Sequence, residues 1–322
     1  MSVSTATVAP VQKEKRERYV LENERVLGPL LLLPAVFYIF ALVGLPLVLA
    51  VLYAFSTASA GNPRIESLDD FVGLRNFRAV LDDGVFLKAL RNTIFFTLGS
   101  QAIVIVLANI LALVLSADFH GKRLVRFLIM LPWTTPIALS VLGWFWLFDS
   151  VYSPIDWVMR EVGLLGPDST FGPARNMYWL GKTALAQGAV LLIHVWRTLP
   201  LATVILLAGL TAIPKDISDA ADIDGAGFWR QLFYIRLPLL LPILAIAMLF
   251  SMVFTFTDLT VSLVLTRGGP VNDTQVLSSW AYFKGIQGGD LAQGAAVALF
   301  MLPVLIAIAI AMLRLARRGG QG

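Results

Sequence analysis

Ser251, Thr255, Asp258 and Ser262 recur at i, i+4, i+7 and i+11 within an otherwise apolar stretch. On a continuous helix that spacing puts all four on one face. The apolar stretch before it carries His194, Arg197 and Thr198 within about one turn. Two others hold Trp133-Thr134-Thr135-Pro136 and Asn109. An ionisable side chain in mid-bilayer costs about 2.5–3.5 kcal/mol on insertion scales, so each needs a partner or a cavity. Two arrangements would provide one. Hydroxyl, carboxylate and guanidinium groups with an indole face form the mixture a carbohydrate needs, making Trp133, His194, Arg197, Thr198, Ser251, Thr255 and Asp258 the candidate substrate-binding set. Alternatively Arg197 pairs with Asp258 and the hydroxyls join helices, in bonds averaging roughly 0.6 kcal/mol. Arg197 would also suit phosphate or carboxylate, unless Asp258 neutralises it. Asn109 is expected to be structural.

Long apolar elements must carry these groups. The 322 residues are 57% hydrophobic and 14% charged, with a mean hydropathy of +0.77. Soluble proteins carry roughly 25% charged residues. No charge occurs between Arg25 and Arg64, and uncharged stretches recur at 92–117, 127–148, 198–214, 237–257 and 291–313. Several exceed the ~18–20 residues of a membrane-spanning helix. The sequence therefore predicts an all-α, polytopic membrane protein with spans near 27–55, 89–116, 124–149, 186–212, 237–264 and 291–314. The first apolar stretch is too long for a cleaved signal peptide, and Gly44 and Pro46 are expected to break or bend it. An even number of spans puts both termini on one side. The denser Lys and Arg of the terminal-side loops make that side the cytoplasm of a prokaryote. A tail (1–25), a transmembrane domain (26–314) and a second tail (315–322) follow. The outer loops are then 56–88, 150–185 and 265–290.

Several chemistries are excluded. There are no cysteines and only two histidines, so thiolate, disulfide and histidine-rich metal or haem sites are ruled out. Gly181-Lys182-Thr183 ends like a phosphate-binding loop, but Asn176 stands where its first glycine is required. The basic residues lie at span ends without the aromatic clustering of a nucleic-acid surface. No catalytic residue, metal or bound cofactor is expected.

One loop, 213–236, is more specific. It contains Asp219-Ala220-Ala221-Asp222-Ile223-Asp224-Gly225-Ala226, followed by Ile235-Arg236-Leu237-Pro238. Asp216 or Ser218 would cap a short acidic helix. The two alanines would let another backbone approach. Gly225 would make a turn into a second helix carrying Phe228, Trp229 and Phe233, and Pro238 would open the fifth span. This helix-turn-helix resembles the coupling loop of ABC-importer permeases: Glu-Ala-Ala, three residues, Gly, nine residues, Ile-x-Leu-Pro. The departure is Asp219 in place of Glu, an acid one methylene shorter. Phe71-Val72-Gly73-Leu74-Arg75-Asn76-Phe77, Asn92-Thr93, Leu207–Pro214 and Leu265-Thr266-Arg267-Gly268-Gly269-Pro270 are similar to segments of the carbohydrate-type permeases, of the maltose and glycerol-phosphate kind.

The resemblance implies an inner-membrane permease subunit moving a sugar or sugar derivative by alternating access. Its partners would be a second permease, two ATP-binding subunits that carry ATP and Mg, an extracytoplasmic solute-binding protein, and lipid. Asp219, Ala220, Ala221, Asp224, Gly225 and Ala226 would be the surface meeting an ATPase subunit. A phosphorylated polyol is the alternative cargo. A self-sufficient secondary transporter is the rival class, and it predicts discontinuous helices and internal repeats.

Overall fold

The computed structural model describes residues 24–167 and 169–319. Most of the expected N-terminal tail, including Lys13–Arg18, lies outside these residues, as does the end of the C-terminal tail. The chain divides into two compact units at Ala50/Val51.

In the first unit, α1 (Glu24–Ile39) passes through a π-helical turn, Phe40–Gly44, into α2 (Leu45–Ala54), whose last four residues belong to the second unit. Gly44 and Pro46 therefore widen the helix instead of breaking it. Leu45 N–H reaches back to Phe40 O, and the wider turn absorbs the donor that Pro46 lacks. Apolar side chains such as Leu31 and Phe37 are exposed, as hydrocarbon requires.

Among its described residues the second unit has helices and connecting loops and no strand, only a single bridge, Ser56 with Phe71. After α3 (Arg75–Leu81) come α4 (Gly84–Ser116), α5 (Lys122–Thr134), α6 (Ile137–Leu147) and α7 (Pro154–Glu161). Next are α8 (Thr183–Ala212), α9 (Lys215–Ile223), α10 (Phe228–Gln231) and α11 (Leu237–Thr257). The chain ends with α12 (Thr260–Leu265), α13 (Leu277–Tyr282) and α14 (Leu291–Gly319). Among the described residues, five helical stretches are long and apolar enough to cross a membrane, and a sixth exists if α5 and α6 count as one.

Two expected spans are broken. The third bends by 97° between α5 and α6. Thr135 is extended there (φ −78°, ψ 137°) because Pro136 disfavours helical backbone at the residue before it. The fifth span stops at Thr257, with Asp258 extended (φ −67°, ψ 123°) before α12 starts. The four-residue polar face expected there is thus divided: Ser251 and Thr255 lie on α11, Ser262 on α12, and Asp258 at the joint. Hydroxyl and carboxylate side chains around this point compete with the helical backbone bonds. Broken helices consequently do not separate the importer reading from its rival.

α4 runs through the whole core. It packs Phe86 and Ala89 with Phe256, Leu277 and Val297, and it places Phe96 among Val141, Val190, Ile193 and Val261. Lower down, Val104, Ala108 and Ala112 meet Ala202 and Leu206 of α8. Small side chains allow this close helix approach. Gly209 does the same: a Cβ there would stand 2.8 Å from Leu240 Cδ2.

One end of the bundle, the loop face, gathers residues 55–83, 148–182 and 266–290. The last of these is not the open loop expected from sequence, since it holds α13 and a π-helical turn, Phe283–Gln287. It is tied down by long-range polar contacts. Asn92 Nδ2 donates to Asn272 O (3.2 Å) and Gln275 O (3.0 Å), and Gln187 Nε2 donates to Asp273 O (2.8 Å). Thr183, the residue that mimicked a phosphate loop, donates to Asp273 Oδ2 at 2.5 Å. The opposite face carries the 117–121 connection and the 213–236 loop.

Candidate functional site

Asp258 is held at every polar atom the break creates. Its backbone N–H closes the end of α11 on Thr255 O (3.4 Å). Its Oδ1 accepts Val261 N–H (2.8 Å), capping the first turn of α12, and its carbonyl accepts Ser278 Oγ (2.8 Å). Its Oδ2 forms an ion pair with Arg197 Nη1 of α8. The Asp258 side chain is 6% exposed and that of Arg197 20%. A carboxylate this deep requires such compensation.

The other candidate residues surround this pair unevenly. His194 and Thr198 are buried on α8, and Thr198 Oγ1 bonds back to His194 O (2.8 Å). His194 lies 6.3 Å from the Phe96 ring, centroid to centroid. Trp133, at the end of α5, packs edge-on against Phe254 at 5.2 Å, one turn before Asp258. Ser251 and Thr255 are buried with hydroxyls that have no protein partner. The structure thus joins Arg197 to Asp258, sets His194 one turn away, and leaves the α11 hydroxyls uncommitted.

Thr97 and Gln101 of α4 share the uncommitted state of Ser251 and Thr255 and were missed from sequence. Both are buried, and Thr97 Oγ1 and both polar atoms of the Gln101 side chain lack protein partners. The available signal was an amide within an apolar span. Asn109 carries the same signal but donates to Ile105 O of its own helix (2.8 Å), consistent with a structural role. Gln101 lines a cavity of about 10 Å³ with Ala202, Ala247 and Met248. That is room for about one water, not a sugar. Larger hollows open on the loop face. One of about 660 Å³ is lined by Tyr152, Trp157, Arg160 and Arg175, and another of about 450 Å³ by Thr57, Arg75, Asn76 and Asp290.

The 213–236 loop has a different geometry. α9 starts at Lys215, so neither Asp216 nor Ser218 caps it; Asp216 lies in its first turn. The helix ends in a Schellman motif with Gly225 at φ +69°. Gly225 N–H bonds Asp222 O (3.1 Å) and Ala226 N–H bonds Ala221 O (2.9 Å). Asp219, Ala220, Asp224 and Gly225 are exposed, Ala226 is half-buried and Ala221 is buried. Gln231, also missed from sequence, is buried and braces the turn, donating to Asp222 Oδ1 (2.6 Å) and Ala226 O (2.8 Å). α10 runs through a π-helical turn, Leu232–Arg236, directly into α11, so Pro238 sits near the start of α11 but not at the start of that continuous helix. Phe228, Trp229, Phe233 and Tyr234 are exposed.

Outside the spans, Asp70, Asp83, Asp149 and Asp273 all have lowered pKa values, and two of them are bound by lysines distant in the chain. Asp273 is held below its usual range, chiefly by hydrogen bonds from Lys88 and then Thr183. Burial pushes Asp83 up, but Lys284 and the Val85 N–H together outweigh it and the carboxyl is lowered.

These broken spans and polar seams form the fold of an importer's membrane subunit. A bacterial ABC transporter that imports the acidic polysaccharide alginate superimposes with a TM-score of 0.74 at 18% identity, over 92% of this chain and 97% of that one. The sequence pattern of the binding-protein-dependent transport system inner membrane components matches residues 104–319, and the chain belongs to that family. It is a multi-pass membrane component of an ABC importer, a non-enzymatic permease subunit of the carbohydrate type. The trehalose/maltose transport system permease protein MalF of Thermococcus litoralis is 30% identical over 92% of this chain and 95% of its own length. The sulfoquinovosyl glycerol permease SmoG of Agrobacterium fabrum is 28% identical over 93% of each chain. The sn-glycerol-3-phosphate permease UgpA of Yersinia pestis is 29% identical over 77% of this chain and 81% of its own.

Proposed function

We propose that this chain is one of two permeases that together enclose a transport path for a sugar or sugar derivative. The observation that carries this reading is the exposed turn 219–225, with its acidic side chains, small residues and left-handed Gly225, in a member of the binding-protein-dependent family. In this reading Asp219, Ala220, Asp224, Gly225 and Ala226 seat in an ATP-hydrolysing partner. Ala221 supports them from beneath. The faces are then assigned: 213–236 and both termini are cytoplasmic, and the loop face receives a solute-binding protein.

Trp133, His194, Arg197, Thr198, Ser251, Thr255 and Asp258 serve the path, and the small cavity at Gln101, about 10 Å³, supports a path shared with a second permease. ATP and Mg stay with the partner subunits, and this chain binds no cofactor. Cleft closure by those partners rocks the helices between two states with different affinity for cargo. A phosphorylated polyol remains the alternative cargo, as relatives with both kinds of named substrate exist.

Purification from the native membrane in mild detergent, with mass spectrometry of the co-purifying chains, tests this. Two ATPase subunits and a related permease are expected. A chain that purifies alone and transports in liposomes without ATP would reject the reading and restore the secondary transporter.

A further inference from the structure

Arg197 and Asp258 are the two charge-bearing residues in the middle of the spans; the remaining Lys, Arg, Asp and Glu lie near span ends or in loops. They are spent on each other. Asp258 is also unable to swing away cheaply, because its second oxygen caps α12 through Val261 and its carbonyl is held by Ser278. An anionic cargo at Arg197 would either take the place of Asp258, leaving that carboxylate buried without a counter-charge, or approach the guanidinium N–H groups that Asp258 leaves open and set two negative charges against one positive one. Breaking a buried pair from one side is strongly unfavourable.

Two cations near the loop face are neutralised in the same way. Lys88 Nζ meets Asp273 Oδ1 at 2.5 Å, and Lys284 Nζ meets Asp83 Oδ2 at 2.8 Å. Among the described residues, the buried side-chain polar atoms without a protein partner, on Thr97, Gln101, Ser251, Thr255 and Trp280, all belong to neutral groups. Hydroxyls and an amide suit partners that both donate and accept hydrogen bonds without net charge.

We infer that the cargo is an uncharged saccharide, and that Asp258 sets this preference by holding Arg197. The inference rests on the proposed carbohydrate path and narrows it. It sets this chain apart from relatives whose named substrates are anionic and aligns it with those named for trehalose and maltose.

The test is uptake in the native host with this chain deleted and then restored. The probes are labelled maltose, trehalose and diacetylchitobiose against glycerol 3-phosphate, a sulfonated sugar and a uronate. Loss of a neutral saccharide alone upon deletion is the expected result. Loss of an anionic probe would overturn the inference while leaving the sugar-importer reading intact. Loss of none of them would reject the carbohydrate path itself, and the inference with it.

The assignment to Asp258 is tested in the restored strain. In Asp258→Asn, the carboxylate analogue of the neutral cargo should inhibit its uptake at least tenfold more strongly than in wild type. Asp258→Asn/Arg197→Gln should lose that inhibition. Should Asp258→Asn fail to reach the membrane, Asp258→Ser, which keeps a short hydrogen-bonding side chain, takes its place. Unchanged inhibition in a variant present at normal level would overturn the role of Asp258.

Discussion

Lys88, just over one turn into α4, and Asp273, between α12 and α13, are joined by a 2.5 Å ion pair, and Lys88 Nζ also donates to Val271 O at 2.6 Å. The neighbouring pair is reversed in sign: α4 is capped by Asp83, which binds Lys284 at 2.8 Å. Two opposite pairs thus pin the 271–284 segment to the start of one helix, and Thr183 adds α8 to the same carboxylate. A segment that sequence reads as a loop becomes a fixed part of the bundle.

Asp273→Ala removes the bonds to both Lys88 and Thr183. It should cost about 1–2 kcal/mol, the scale of hydrogen bonds to a charged group discounted for partial exposure. Thermal unfolding in detergent measures this. The exchanged pair Lys88→Asp/Asp273→Lys should recover part of what either single reversal loses. If the exchange is no better than the single changes, the contact contributes nothing.

The same carboxylates give a pH dependence. Asp273 and Asp83 lie below their ordinary value of 3.8 when folded. A depressed folded pKa contributes stability above the unfolded value, and that contribution disappears as pH falls through the folded one. The melting temperature should therefore show no pH dependence from these groups between pH 8 and about 5, where their contribution is fully present, and that contribution should fall away below about 4. Asp273→Asn should make the acid limb shallower. An acid limb identical to that of wild type would show that Asp273 does not contribute to it.

Gly294 of α14 meets Gly285 backbone to backbone. A Cβ on Gly294 would lie 2.4 Å from Gly285 Cα and 2.9 Å from Ala281 O, and backbone cannot rotate aside. Gly294→Ala should destabilise by about 1–3 kcal/mol, the scale of overpacking. Gly188→Ala in α8, where nothing lies within 4 Å, should be neutral or slightly stabilising. Equal melting temperatures for the two variants would contradict the close approach.

Gly225 has open space around it but a backbone at φ +69°. Gly225→Trp should leave the protein in the membrane, at a cost of about 1–2 kcal/mol for the left-handed backbone, yet abolish ATP-driven uptake. Membrane level and uptake are measured together. Normal uptake would remove the coupling role from this turn.

The spans were legible in sequence because apolar length is a local property, and charge-free runs of bilayer length have few other uses. The turn at Gly225 was legible for a similar reason: a left-handed glycine after a short helix is a local geometric need, and Gly225 meets it. Helical periodicity misled at Asp258, since i, i+4, i+7 spacing describes one face only while the helix continues. The break there draws on Val261, Arg197 and Ser278, and only the first is near in sequence. In the third span Pro136 was visible, but not that the chain would turn by 97°.

Composition and spacing on their own determined an all-helical membrane protein with a glycine turn at Gly225 and a polar stripe needing compensation. Which charge compensates which was decided by tertiary structure. Arg197 and Asp258, Lys88 and Asp273, and Asp83 and Lys284 are far apart in the chain. Nothing local to one member of a pair specifies the other. Helix packing brings the partners within hydrogen-bond distance, and for Arg197 and Asp258, in a medium that cannot solvate a lone charge, that proximity determines the pairing.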